Sequence, residues 1–152
     1  MLLKKFIFFS VLGLMAFSLA YSAPLKAQPA PNPFESVTEE QLTAEGPITA
    51  ADLDYFLKFL AASNDIIQKM DEDPSLNFEE EIAKFAKDNN VTTVRTRYLM
   101  EKVPYAIFVA TVKDPQKAPK APVKYMELTP AESQIIQDNL EKFRFFTESL
   151  NQ

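Results

Sequence analysis

Residues 91–112 read VTTVRTRYLMEKVPYAIFVATV, the most apolar run of the chain outside its N-terminus. A compact fold must bury this run, so the other segments are its cover. Two readings compete. As a helix, Val91, Val94, Tyr98, Tyr105, Phe108, Val109 and Val112 recur at helical spacing, with Met100, Val103 and Ile107 alongside. Thr92 or Thr93 then caps the start. As strands, the β-branched run 91–98 and the run 105–112 pair across a turn at 101–104. Pro104 opposes the helix at about 3 kcal/mol in a free helix interior. A lone hairpin, however, needs more sheet around it to be stable, and the flanking segments are helical. The expectation is an all-α fold. It is a small irregular bundle of about four helices, the third kinked or broken near Pro104. An α+β fold with a hairpin at 91–112 is the alternative.

Upstream, Thr49-Ala50-Ala51-Asp52 resembles a capping box and opens a strong helix. Leu53, Phe56, Leu57, Leu60 and Ile67 form its stripe, and Tyr55, Phe59, Ile66 and Met70 widen it. A face that wide suits two neighbours, or one neighbour and an outside partner. Asp71-Glu72-Asp73-Pro74 ends the helix as a solvated turn, since a calcium loop would need a central glycine. A second helix spans about 78–87, with Glu79, Glu80 and Glu81 in its first turn, where the macrodipole favours acids. Asn89 and Asn90 suit a left-handed exit.

Downstream, residues 114–128 form a Pro- and Lys-rich loop that holds Pro115, Pro119 and Pro122. Extended at about 3.1 Å per residue, it spans roughly 40 Å, enough to run back along a 22-residue helix of about 33 Å. The next helix could then lie parallel to the third, or form an antiparallel hairpin with a loose loop. It starts at Thr129-Pro130-Ala131-Glu132, a capping box with proline at the first helical position. Ile136, Leu140, Phe143, Phe146 and Leu150 make its core stripe, and Phe145 points off it.

The chain begins with the pattern of a secretory signal. Lys4 and Lys5 precede an apolar run from Phe6 to Ala20, and small residues allow cleavage after Ser22 or after Ala20. The expected organisation is a signal peptide over 1–22, then a Pro-rich leader over 23–47 with a short helix near 36–45. A single helical domain over 48–152 follows. The protein is expected in the periplasm or secreted, without stable membrane anchoring after cleavage. Of the 16 basic residues, two lie in the signal, which leaves 14 against 21 acids and a net charge near −7. That balance speaks against nucleic acid as a partner.

With no Cys and no His, the chain lacks thiolate chemistry, disulfides, the commonest metal ligands and the commonest general base. No metal site and no cofactor are expected. With Gly46 the only glycine beyond the signal, no glycine-rich phosphate loop can form. These residues suggest a helical binding or accessory module that works through contact with another envelope or secreted protein, without catalysis. Tyr55, Phe59, Phe145, Lys117 and Lys120 are its candidate partner-binding residues. The alternative is a carrier of a small apolar or amphiphilic ligand beside the third helix. Arg95, Arg97, Tyr98 and Tyr105 are the candidate ligand-binding residues, because two arginines and a phenol can hold a carboxylate or phosphate. A carboxylate-based hydrolase is the remote alternative.

Overall fold

The computed structural model describes residues 32–112 and 118–145. The expected signal peptide over 1–22, Lys117, Phe146 and Leu150 lie outside the described residues. The helices are α1 (Glu39–Thr43), α2 (Ala50–Glu72), α3 (Phe78–Asp88), α4 (Thr93–Thr111) and α5 (Pro130–Asn139). Two 3-10 turns, Lys124–Met126 and Leu140–Phe143, complete them. No strand occurs among the described residues, so the protein is all-α and the hairpin at 91–112 does not form.

Local chemistry explains where the helices begin. Thr38, Thr49, Asn77, Thr92 and Thr129 each accept a first-turn backbone N–H with their side chain. At Thr38, Thr49 and Thr129 the third helical residue returns the bond, which completes a capping box. Each such cap stabilises its helix by about 1 kcal/mol. The exit from α3 is just as local. Asn90 takes the left-handed conformation at φ 57°. Val91 N–H then bonds the Ala86 carbonyl at 2.9 Å and Asn90 N–H the Lys87 carbonyl at 3.0 Å, which is the Schellman arrangement.

Helix α4 is the axis of the described residues. It touches all the other described helices and both 3-10 turns. Its residues Leu99, Val103, Ala106 and Ile107 are fully buried. Against them lie Leu53, Phe56 and Phe59 of α2, Ile82 and Ala86 of α3, and Ile136 and Phe143 of the C-terminal segment, all buried. The helix runs unbroken through Pro104 from Thr93 to Thr111. Proline removes the bond that residue 104 would give to the Met100 carbonyl, and its ring crowds that carbonyl. Burial of α4 on several sides holds the remaining turns in register.

The connection after α4 returns along it. Tyr105 donates its hydroxyl to the Pro119 carbonyl at 3.0 Å. Further along the loop, Tyr125 lies against Tyr98, their ring centroids 6.3 Å apart. Helix α5 then runs parallel to α4, because Glu132 meets Lys102 and Gln137 meets Ala110 in the same order along both helices. At Leu140 the α-helical turns tighten into a 3-10 turn that seats Phe143 in the core.

Residues 32–49 are part of the packed body. Phe34, Val37, Leu42 and Ile48 are all buried, although the prolines of this segment suggest a spacer. Proline fixes the backbone of its own residue and biases the one before it. It does not stop neighbouring apolar side chains from packing, and each of these gains about 1.5–3 kcal/mol on burial.

Candidate functional site

The polar residues near the start of α4 fall into two groups. The first fastens the segment 32–49. Arg95 directs Nε and Nη2 at the two oxygens of Asp52, at 3.1 and 2.6 Å. Its Nη1 donates to Glu45 at 3.3 Å and to the Gly46 carbonyl at 2.7 Å, and Nη2 donates to the Pro47 carbonyl at 2.9 Å. A guanidinium has five N–H donors, and here all have acceptors within the chain. Burial alone would lower the Arg95 pKa, but the Asp52 carboxylate, with Glu45, outweighs it and the pKa rises. Asp52 mirrors this. Burial tends to raise its pKa, yet Arg95 and Thr49 hold it below the ordinary 3.8.

Arg97 holds the turn just upstream. Its Nη1 donates to the Phe34 and Val37 carbonyls at 2.7 and 3.0 Å, and its Nε donates to Glu101 at 3.0 Å. The other oxygen of Glu101 accepts the Tyr125 hydroxyl. Burial first, and then the adjacent Glu101 carboxylate, push the Tyr125 phenol well above its ordinary 10.0. Arg95 and Arg97 therefore bind this chain's own backbone. An external carboxylate would have to displace part of the 34–47 segment to reach the Arg95 guanidinium.

The second group is buried. Lys102 Nζ lies 2.8 Å from Glu132 Oε1 and donates to the Tyr98 hydroxyl at 2.9 Å. Its ammonium also sits 5.2 Å from the centre of the Tyr98 ring. Glu132 Oε1 accepts the Ile48 N–H at 2.9 Å, and Oε2 accepts the Thr129 N–H at 2.9 Å. Burial tends to raise the Glu132 pKa, but Lys102 and the two backbone donors hold it below the ordinary 4.5. One carboxylate thus closes the capping box of α5 and neutralises a lysine of α4. It also fixes the backbone ahead of α2.

A groove of about 380 Å³ opens over this cluster. Tyr98, Lys102 and Glu132 form its floor, and Pro47, Tyr125 and Leu128 its walls. Lys124 and Glu127, of opposite charge, stand on the rim. Of the residues singled out in the sequence, Tyr98 alone lines the groove. Tyr105 is held by the loop through Pro119. Glu132 is absent from the sequence-based candidates, and Lys102 only follows the Arg95, Arg97 and Tyr98 cluster in sequence without being a ligand-binding candidate itself. Capping explains Glu132 fully at that level, and a lysine amid apolar residues reads as one that extends to the surface.

The expected partner-binding residues do not form one surface. Tyr55 and Phe59 are 8% and 1% exposed, so they cannot meet a partner in this arrangement. The broad apolar face of α2 is covered from within. Tyr55 stacks on Phe85 at 5.6 Å and shares a hydrogen bond with Thr96 at 2.8 Å, and Phe59 stacks on Phe56. Phe145 and Lys120 are exposed. Among the described residues no group of three or more acids is placed to hold a metal ion.

A comparison with protein-family models finds no match, and neither do comparisons with curated proteins and with solved structures.

Proposed function

We propose that this protein is an exported binding module that takes a small ligand in the groove between α4, the Lys124–Met126 turn and the start of α5. One observation carries this reading. The groove has a floor of three buried polar side chains, drawn from α4 and α5, under walls that are partly apolar. Sites for small molecules combine an enclosing apolar surface with a few well-placed polar groups in this way. Binding is favoured over catalysis because Glu132 is held ionised and already accepts three hydrogen bonds. A general acid needs the opposite, a carboxyl whose pKa is raised. Export rests on the N-terminal signal pattern. No helix of the described residues is long and apolar enough to cross a membrane.

The test is a fragment screen by two-dimensional amide NMR on the mature chain. The reading expects hits that shift the amides of Tyr125, Leu128 and Thr129, and that are lost in Tyr125→Ala. Hits scattered over the surface, or none at all, would sink it. Export is checked separately by N-terminal sequencing of the protein recovered outside the cytoplasm, which should begin after Ser22 or Ala20.

A second reading, docking of another envelope or secreted protein, is favoured by Phe108. That side chain is 42% exposed on the same helix that carries Tyr98. If it holds, cross-linking in the native envelope yields one dominant partner that Phe108→Asp abolishes.

A further inference from the structure

We infer that the groove ligand is a neutral molecule bearing a carbonyl, with its oxygen seated between Lys102 Nζ and the Tyr98 hydroxyl. The inference rests on the groove being a ligand site and adds the chemistry of the ligand.

The first support is a count of donors. An ammonium has three N–H donors and a phenol one O–H donor. Lys102 gives one proton to Glu132 and one to Tyr98, and Tyr98 uses its oxygen to accept. Among the described residues nothing takes the third Nζ proton or the Tyr98 hydroxyl proton. Both residues line the groove and are nearly buried, Tyr98 at 2% and Lys102 at 4% exposure. Their polar atoms lie 2.9 Å apart. Two donors at that separation can meet on a single oxygen, and a carbonyl oxygen has two lone pairs to offer them.

The second support is charge. The Lys102 charge is matched by Glu132 at 2.8 Å, so the floor offers donors without net positive charge. An anion at Nζ would lose its hydration, while the carboxylate beside the ammonium offsets much of the attraction it would gain. A cation would have no acceptor to meet between the two donors. On the rim, Lys124 and Glu127 also cancel. Glu45 is already paired with Arg95 at 3.3 Å. A neutral acceptor escapes these penalties and keeps both hydrogen bonds. Tyr125, Leu128 and Pro47 would cover its apolar body.

The test uses three probes of one shape and different charge: benzamide, benzoate and benzylammonium. Each is titrated into the full mature chain while the amides of Tyr125, Leu128 and Thr129 are followed by NMR. Benzamide is expected to saturate at a concentration about tenfold lower than the other two, because benzoate and benzylammonium must give up the hydration of a charge at a floor with no net charge to match it. In Tyr98→Phe, benzamide should weaken by about the same factor. If benzoate or benzylammonium binds as well as benzamide, the inference is overturned while the groove remains a site. Unchanged benzamide binding in Tyr98→Phe overturns it in the same way. If no probe moves the groove amides, the inference and the reading beneath it both fail. The rank order in the wild-type chain decides the matter even if Tyr98→Phe folds poorly.

Discussion

Lys102 Nζ and Glu132 Oε1 lie 2.8 Å apart with side chains only 5% and 1% exposed. This is a buried ion pair between the middle of α4 and the first turn of α5. Removal of one partner leaves the other charged and nearly buried, at a cost of about 3–5 kcal/mol. Lys102→Met is therefore expected to lower the urea unfolding free energy by that amount. The double variant Lys102→Met/Glu132→Gln should be more stable than Lys102→Met alone, because no unpaired charge remains. A loss under about 1 kcal/mol in Lys102→Met would show that the pair is open to water in solution.

Arg95→Lys tests the clamp on residues 45–47. Lysine keeps the charge but has three donors in place of five and lacks the planar fork that meets both oxygens of Asp52. Charged hydrogen bonds of this kind contribute about 1.5–3 kcal/mol each. The expected result is a stability loss of about 2 kcal/mol or more, with faster hydrogen exchange at Ile48 and Thr49. If exchange there matches the wild type, the arginine does not hold the segment.

The pH dependence follows from Asp52 and Glu132, whose carboxyls are held below their ordinary 3.8 and 4.5 against the opposing effect of burial. The unfolded chain therefore takes up these protons more readily than the folded one. Their stabilising contribution is whole above the ordinary values and is lost as pH falls through the lower folded values. With no histidine in the chain, the usual titration near neutrality is missing. Tm should stay level between about pH 6 and 8 and fall below about pH 4.5. Asp52→Asn should lower Tm at neutral pH and flatten the acid slope. An acid slope unchanged in that variant would exclude Asp52 as a contributor.

Pro104→Ala restores a donor to the Met100 carbonyl within an unbroken helix. Alanine is about 3 kcal/mol better than proline in a helix interior, so the variant should be more stable by about 1–3 kcal/mol. Lower stability in chemical denaturation would mean that the pyrrolidine ring contributes more by packing than it costs the backbone.

The residues that start and stop the helices were legible in the sequence because their work is local. Thr49 with Asp52, Thr129 with Glu132 and the left-handed Asn90 act within a few residues of themselves. The periodic stripes also identified α4 as the segment to be buried. The sequence displays the backbone conflict at Pro104 and not the packing around it, so it does not show that the helix continues unbroken past that residue. The wide face of α2 was visible too, but not that Tyr55 and Phe59 would turn inward.

The groove could not be read in the same way. Its floor depends on α5 lying parallel to α4, which brings Glu132 to Lys102, and on Glu132 also reaching the Ile48 N–H, 84 residues away. Nothing within four residues of Lys102 selects Glu132 from the chain's 21 acids. The same holds for the clamp, where Arg95 and Arg97 select backbone carbonyls of residues 34–47 that any cation could bind. Sequence alone determined the helical segments, their caps and the apolar axis, because short-range hydrogen bonds and periodic burial are properties of neighbouring residues. Tertiary structure alone decided which charges are buried together and where a ligand could enter. Those outcomes depend on which faces meet once the core has closed.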